Sequence, residues 1–290
     1  MKRKARSLLV VACVLAAAAV AGLWVAGDSL SAPANHAVGA PPADLPAGPV
    51  EFASESGSTL RGWLLPGRAG RGAVVLMHGV RSDRTSMSGR ARFLNAAGYA
   101  VLLFDFQAHG ESPGAHITFG HLEGRDARAA VRFVRERLPG ERVGVIGVSM
   151  GGAAAILAEP PLEADAFVLE MVYPTIDEAI ADRLRMRLGR WAGALAPLLS
   201  MQLRPRIGVG ADRLRPVERV ASLPGPKLFI AGAEDRHTTL TESRRLYEAA
   251  EGPKELWVVE GAAHTDLHAL AGNTSGGCWT FSPGTSPKSD

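Results

Sequence analysis

The sequence predicts an α/β protein with a mainly parallel β-sheet and helices on both faces of that sheet. Short runs of β-branched and aliphatic residues recur along the chain, and segments of helical periodicity separate them. Several of these runs, Ala73–Met77 among them, are apolar at every position, which indicates strands that are buried on both faces. Strands that alternate with helices in this way are typical of parallel sheets.

The predicted elements follow one another in a regular order. Val50–Ala53 and Leu60–Leu65 alternate around a Ser-Gly-Ser turn, which predicts an antiparallel hairpin. The strands predicted after the hairpin are Ala73–Met77, Ala100–Phe104, Val143–Val148, Ala166–Glu170, Lys227–Ala231 and Glu255–Val259. The predicted helices are Ser86–Ala97, Leu122–Arg137, a segment that begins at Ala153, and Leu240–Glu251.

The alternation breaks between about residues 172 and 223. Two amphipathic stretches, Ile176–Leu188 and Arg190–Leu203, replace a single crossover helix there. Arginines give this insertion a basic side; they are Arg183, Arg185, Arg187 and Arg190. Recognition of an anionic acyl group or of a membrane surface is one interpretation, and a solvated helix face is the other.

Ser149 lies in the most informative segment of the chain. The run Val143–Val148 passes into the sequence Gly-Val-Ser-Met-Gly around Ser149, and small residues that favour a helix follow. A serine on a tight strand-to-helix turn needs very small neighbours, because its backbone is strained and packs closely on both sides. The helix N-terminus behind the serine favours developing negative charge. The segment predicts a nucleophile elbow, with Ser149 as the nucleophile.

A loop upstream of the elbow carries a candidate oxyanion hole. The buried run Ala73–Met77 leads into His78-Gly79-Val80, and a glycine after such a strand lets the chain turn so that a backbone N–H points into the site. We expect the N–H groups of Val80 and Met150 to form the oxyanion hole. An ordinary turn, with His78 in a structural hydrogen bond, is the alternative.

The candidate acid follows a later strand. Lys227–Ala231 is apolar beyond its first residue and leads into a loop that contains Glu234 and Asp235. A carboxylate just past the carboxyl end of a strand lies on the ligand side of an open α/β sheet. Asp235 is the predicted catalytic acid. Glu234 stays open as the alternative, because the two residues are adjacent and only one can face the site.

The candidate base follows the last predicted strand, Glu255–Val259. His264 lies a few positions beyond it in a loop of small residues, from which its imidazole can reach both Ser149 and Asp235. In that position His264 takes the serine proton and returns it to the leaving group, while the acid fixes its tautomer. His268 is the competing histidine, although it fits better in a following helical turn.

Together these motifs resemble the α/β-hydrolase superfamily, especially its small bacterial serine hydrolases of the esterase and lipase type. The matching stretches are His78-Gly79, the residues from Phe104 to Ser112, Gly147 to Gly151, Gly232 to Asp235 and Gly261 to His264. The resemblance implies the α/β-hydrolase fold, a short helical cap over the pocket, and structural rather than catalytic roles for Asp105 and His109. Relatives continue beyond the histidine into an amphipathic helix, whereas here only Thr265–Ala271 can extend it.

The residues and the resemblance predict a serine hydrolase that cleaves carboxylic esters or related acyl compounds through an acyl-enzyme. A small-molecule acyl substrate is therefore the expected partner. Three alternatives remain: a peptidase with the same triad, an acyltransferase with the same triad, and a non-catalytic membrane-tethered binding protein on a hydrolase fold.

The N-terminus predicts a membrane segment. Four basic residues precede an uncharged, mostly apolar run, Ser7–Gly27, which is long enough to cross a bilayer. An uncleaved anchor is favoured over a cleaved signal, because signal peptides have apolar cores of only about 7 to 15 residues. In either case the basic end stays in the cytoplasm and the hydrolase lies outside it. The predicted divisions are 1–27 as anchor or signal, 28–49 as a Pro/Ala-rich linker, 50–271 as the hydrolase domain with its cap insertion at about 172–223, and 272–290 as a disordered tail.

The net charge of +3 does not predict a nucleic-acid partner. Residues 1–27 hold four of the 32 basic residues and none of the 29 acidic ones, so the rest of the chain is nearly neutral. The histidines do not cluster with acids at metal-ligand spacing, and there is no glycine-rich phosphate loop. We expect no metal and no cofactor.

Overall fold

The computed structural model describes residues 2–265 and 267. The strands are β1 (Ala34–Asn35), β2 (Gly48–Ala53), β3 (Thr59–Leu65), β4 (Ala73–Met77), β5 (Ala100–Phe104), β6 (His109–Gly110), β7 (Val143–Val148), β8 (Ala166–Glu170), β9 (Lys227–Gly232) and β10 (Lys254–Val259). The helices are α1 (Lys2–Ser31), α2 (Ser88–Ala96), α3 (His121–Arg137), α4 (Met150–Leu157), α5 (Ile176–Leu188), α6 (Ala196–Ser200), α7 (Leu203–Ile207) and α8 (Leu240–Ala249).

Eight strands form one sheet in the order β10-β9-β8-β7-β4-β5-β3-β2. The pairs from β10 to β5 are parallel, and the hairpin strands β3 and β2 are antiparallel to their neighbours. The two short strands β1 and β6 pair with each other in a separate parallel ladder. The α/β fold with a mainly parallel sheet, predicted from the sequence, is confirmed.

Helices cover both faces of the sheet. Along β4, Val75 and Met77 point into a core shared with α3 and α4, whereas Val74 and Leu76 point into a second core shared with α2. Successive residues of a strand face opposite sides, so a strand that is buried on both faces must be apolar throughout. A third cluster, around Leu228 and Ile230 of β9, is closed by Leu267.

The segment between β8 and β9 forms the cap. Helix α5 has the predicted bounds, but the second predicted stretch is not one helix. It divides into a 3-10 turn over Arg190–Leu195 and the short helices α6 and α7. The break coincides with Pro197 in the first turn of α6, because proline favours the start of a helix and cannot continue the interior of one.

The N-terminal region differs most from its prediction. Helix α1 continues to Ser31, and the residues that follow it pack on the domain where a linker is predicted over 28–49. The Ala34 N–H donates to the Ala108 carbonyl, the N–H groups of Val38 and Gly39 donate to the Glu111 carboxylate, and Leu45 is buried. The hydrogen bonds named here are donated by main-chain N–H groups, which side-chain patterning does not reveal. The predicted tail 272–290 lies outside the described residues.

A buried ion pair braces the loop after β5. The Asp105 carboxylate receives the Arg84 guanidinium and also accepts the backbone N–H groups of Arg84 and Glu111, at 2.8 and 2.9 Å. The Arg84 guanidinium also pairs with the Glu111 carboxylate and lies over the Trp63 ring, 4.7 Å from its centroid. These contacts agree with the structural role that the sequence analysis assigns to Asp105.

Replacement of Asp105 tests this brace. Asp105→Asn keeps the shape of the side chain but removes the buried carboxylate that pairs with Arg84 and leaves only the partly exposed Glu111, so we expect the free energy of unfolding to fall by about 3 kcal/mol. Glu51→Gln, which removes an exposed ion pair with Arg61, is the matched control and should cost less than about 1 kcal/mol. Denaturant titration of the full chain in non-ionic detergent measures both. Equal effects of the two substitutions would contradict the assignment.

Candidate active site

Ser149 occupies a strained turn between β7 and α4. Its φ is 51° and its ψ is −112°, a region that side-chain-bearing residues rarely adopt. The Ser149 N–H donates to the Glu170 carbonyl at the end of β8, at 2.8 Å, and this bond holds the turn against the neighbouring strand. The hydroxyl of Ser149 therefore stands at the carboxyl edge of the sheet, behind which α4 begins.

The glycines around Ser149 are required by close packing. A Cβ atom on Gly147 would lie 2.6 Å from backbone atoms of Gly152, and one on Gly151 would lie 2.3 Å from the Met77 carbonyl oxygen. Neither contact can be relieved by rotating a flexible side chain, because both involve backbone atoms. The turn predicted as a nucleophile elbow therefore packs so closely that only glycine fits at positions 147 and 151.

Asp235 and His264 meet at the same edge. His264 Nδ1 lies 2.7 Å from Asp235 Oδ2, and the other oxygen of that carboxylate accepts the N–H groups of His237 and Thr238 at 2.7 and 3.0 Å. The carboxylate is fully held by these donors, and it fixes His264 with the proton on Nδ1 and the lone pair on Nε2. Glu234 is exposed to solvent, so the geometry favours Asp235 over Glu234 as the partner of His264. The competing His268 lies outside the described residues.

The candidate oxyanion loop is held by His78. The buried imidazole donates from Nδ1 to the Gly79 carbonyl at 2.7 Å and accepts the Phe106 N–H at Nε2, at 3.1 Å. Burial, together with the neighbouring His109, lowers the pKa of His78 to about 3, so the ring stays neutral. The structural hydrogen bond and the oxyanion hole are therefore compatible, because His78 fixes the loop that presents Val80.

Ser149, His264, Val80 and Met150 all line one cavity of about 860 Å³. Met150 is the first residue of α4, so its N–H has no partner within the helix. The cap supplies apolar walls from α5, α6 and α7. The residues that the sequence analysis selected for one site therefore line one cavity, with Asp235 directly behind His264.

Three parts of the site were missed by the sequence analysis. The end of α1, from Ala26 to Ser31, forms one wall of the cavity. A buried ion pair joins Arg90 of α2 to Glu170, the residue whose carbonyl holds Ser149. Glu170 ends an otherwise apolar strand, and that isolated charge was the available signal for the pair.

His237 is the third missed residue. Its ring packs against His264 with the centroids 4.8 Å apart, and burial together with the neighbouring His264 lowers its pKa. His237 thus borders the candidate base as a neutral imidazole.

Comparison with known proteins identifies the family. The family model described as serine aminopeptidase S33, Hydrolase_4, matches residues 68–215, which include β4, the elbow and most of the cap. The chain belongs to this family of α/β hydrolases. The resemblance on which the sequence analysis relied is therefore confirmed at the level of the family.

Relatives of this hydrolase span most of the chain. The uncharacterized protein Rv2307c of Mycobacterium tuberculosis is 32% identical over 236 residues, which cover 79% of this chain and 76% of that protein. The uncharacterized protein YqkD of Bacillus subtilis is 28% identical over 197 residues, covering 66% of this chain and 64% of YqkD, a little under two thirds of its length. Among solved structures, the Pyrococcus furiosus esterase Pf2001 superposes with a TM-score of 0.69 at 27% identity and covers 84% of this chain and 94% of its own.

Proposed function

We propose that this hydrolase cleaves carboxylic esters or related acyl compounds through an acyl-enzyme formed on Ser149. The observation that carries the proposal is the hydrogen bond between Asp235 and His264 at the rim of the cavity in which the strained Ser149 lies. The proposed nucleophile, the proposed base and the two residues whose N–H groups are the proposed donors all line a single space, and acyl transfer needs these groups together.

The reaction follows from these positions. Ser149 Oγ attacks the acyl carbon and passes its proton to His264 Nε2, while Asp235 stabilises the imidazolium that results. The carbonyl oxygen becomes an oxyanion, which accepts hydrogen bonds from the N–H groups of Val80 and Met150. Collapse of this intermediate breaks the bond to the leaving group, which takes the proton from His264. Water then attacks the acyl-enzyme by the same steps and releases the acid.

A peptidase is the second candidate, because the family model is described as serine aminopeptidase. An aminopeptidase has to bind the free ammonium group of its substrate, and carboxylates are the natural partners of that group. The described residues that line the cavity include five arginines and neither Asp nor Glu. Arginines repel an ammonium group, so this lining favours an acyl substrate without a free amine. An acyltransferase would use the same acyl-enzyme and differ only in the acceptor.

Replacement of the proposed nucleophile tests the chemistry. Ser149→Ala removes the attacking oxygen, so we expect it to abolish labelling by a fluorescent phosphonate and to lower turnover of p-nitrophenyl esters by at least about a thousandfold. Ser29→Ala, which alters another serine that lines the same cavity, is the matched control and should keep both signals. A folded wild-type chain that neither reacts with the probe nor hydrolyses esters would favour a binding protein on a hydrolase fold.

The adjacent acids give a second test. Asp235→Asn leaves the shape intact but removes the charge that stabilises the His264 imidazolium, so kcat should fall by about a thousandfold or more. Glu234→Gln changes the neighbouring exposed carboxylate and should leave kcat within about twofold, since surface changes away from the site have small effects. Steady-state kinetics with one p-nitrophenyl ester separate the two. A larger loss in Glu234→Gln would reverse the assignment.

We further propose that α1 is retained as a membrane anchor, with the hydrolase domain outside the cytoplasm. Within α1, Cys13–Ser31 has a mean hydropathy of 1.7 over 19 residues, and length and composition alone make it a candidate span. The last nine residues of α1 pack on the cap: Arg206 of α7 pairs with Asp28 and donates to the Trp24 carbonyl, and Gln202 donates to the Leu23 carbonyl. Removal of α1 as a cleaved signal would take away one wall of the cavity, which favours retention.

Fractionation of cells that express the full chain tests the anchor. We expect the chain to stay in the membrane fraction after a carbonate wash and to have the mass of the full, uncleaved sequence. We also expect protease added to spheroplasts to digest the hydrolase domain, because the domain lies outside the cytoplasm. The double variant V14D/L15D places two charges in the apolar run and should weaken membrane retention, because each charge costs about 2.5–3.5 kcal/mol at the centre of a span. A shortened, soluble chain would show instead that the segment is a cleaved signal.

A further inference from the structure

The cavity beside Ser149 has an unusual charge. Five arginines are among the residues that line it, and the described lining contains no carboxylate; the five are Arg81, Arg90, Arg183, Arg187 and Arg206. The rest of the lining is largely apolar and comes from α1, α5, α6, α7 and the loops of the site. A cavity that is both apolar and positively charged fits a ligand with an apolar part and a negatively charged group.

Three of the five arginines are held by oxygen atoms of other elements of the chain. Arg90 pairs with Glu170, and Arg206 pairs with Asp28. Arg81 donates to the carbonyls of Ser29 and Ala32, at 3.1 and 3.2 Å. These contacts hold the three arginines in place as parts of the cavity wall.

Arg183 differs from them. It lies on α5, and its described hydrogen bond runs from Nη1 to the Ala179 carbonyl one turn earlier in the same helix, at 2.9 Å. None of the ion pairs among the described residues includes it. Burial lowers the pKa of the Arg183 guanidinium, and the nearby charges of Asp182 and Asp235, neither of which forms an ion pair with it, offset only part of that effect.

Arg187 is a second cavity arginine without an ion pair among the described residues, and it lies closer to solvent than Arg183. It follows Arg183 by four residues on α5, so the two side chains lie on one face of the helix. Arg187 lines the cavity and is exposed, and it too has no ion pair among the described residues. The two arginines therefore line the cavity, and neither forms an ion pair with a carboxylate of the described residues.

We propose that Arg183, assisted by Arg187, binds an anionic group on the substrate, so that the preferred substrate is an acyl compound that also carries a carboxylate or a phosphate. The inference rests on the proposed function, because it names the substrate class of the same site. The acyl chain lies against the apolar cap, its ester carbonyl reaches Ser149, and its anionic group accepts hydrogen bonds from Arg183. Guanidinium binds carboxylate and phosphate alike through paired N–H donors.

Matched esters test the proposal in the full chain in non-ionic detergent. The neutral ester is p-nitrophenyl hexanoate, and its anionic counterparts bear a terminal carboxylate or phosphate on an acyl chain of the same length. For Arg183→Gln we expect kcat/KM to fall by about 10- to 100-fold for an anionic ester and to change by less than about twofold for the neutral one. Arg183→Lys should recover part of the loss, because it restores the charge without the paired donors.

Arg190→Gln is the matched control. Arg190 is an exposed cap arginine that stacks on the Trp191 ring at 4.3 Å and is absent from the cavity lining, so its loss removes the same charge at a different place. It should leave both kinds of ester unaffected. Thermal unfolding of each variant shows whether it is folded.

Three results would overturn the proposal. Equal loss for neutral and anionic esters in Arg183→Gln would mean that Arg183 acts on Asp235, one of the charges near it, and not on the substrate. If the wild-type chain prefers the neutral ester and Arg183→Gln does not change that preference, the cavity has no anion-binding site, while the proposed function still stands. Equal losses of kcat/KM for the anionic ester in Arg190→Gln and Arg183→Gln would show that the positive charge of the cap acts as a diffuse electrostatic field and not through a binding site at Arg183.

Calorimetric titration with decanoate, decyl phosphate and decan-1-ol decides the case in which the chain hydrolyses no ester. Binding of an anion that weakens about tenfold or more in Arg183→Gln, with decan-1-ol unchanged, supports the subsite even if the proposed function fails. Equal affinity for the alcohol and the anions contradicts it. The tighter of the two anions identifies the carboxylate or the phosphate as the group that is recognised.

Discussion

The strained backbone of Ser149 is the constraint on which the rest of the site depends. A residue with φ 51° and ψ −112° costs on the order of 1–3 kcal/mol, and the surrounding structure has to hold it there. The N–H of Ser149 is bound to the carbonyl of Glu170, and glycines let the turn approach the backbone of β4. The turn exists because β7 is paired between β4 and β8 in the middle of the sheet, which fixes the positions of both neighbours.

The same sheet order brings the other groups to Ser149. The loops that carry Val80, Asp235 and His264 follow β4, β9 and β10, all of which are parallel to β7 and end at one edge. Two ion pairs are buried just beneath that edge: Arg84 with Asp105, and Arg90 with Glu170. Breaking such a pair costs several kcal/mol, because the remaining partner stays buried and uncompensated. These pairs hold the edge in place, whereas Arg183, which has no ion pair among the described residues, lies on the cap that faces it.

Much of the fold could be predicted because strands that are buried on both faces are apolar along their length. The bounds of β5 and β8 agree with the predicted Ala100–Phe104 and Ala166–Glu170, since β5 is apolar throughout and β8 is apolar up to Glu170. The helical stretch predicted over Arg190–Leu203 fails at Pro197, where local backbone chemistry outweighs amphipathic periodicity. The region predicted as a linker over 28–49 contains a strand of only two residues that is held by main-chain bonds, and such bonds leave little trace in side-chain type.

The candidate site was predictable in its motifs and not in its contacts. The spacing of Ser149, Asp235 and His264 after their strands follows from the chain alone, but the choice between Asp235 and Glu234 depends on which carboxylate the loop turns inward. The contribution of α1 to the cavity joins residues near 28 to residues near 206, a distance in sequence that no local pattern spans. Among the described residues, the lack of a carboxylate paired with Arg183 is likewise a property of the assembled cavity.

A crystal structure of the full chain after reaction with an alkyl phosphonate tests whether Ser149 is the nucleophile of this site. We expect the phosphorus to be bonded to Ser149 Oγ, with its oxygen about 3 Å from the N–H groups of Val80 and Met150. We also expect His264 to keep its hydrogen bond to Asp235 and the alkyl chain to lie against the cap. An unmodified Ser149 in a folded, phosphonate-treated chain, or an adduct on another residue, would show that Ser149 is not the nucleophile.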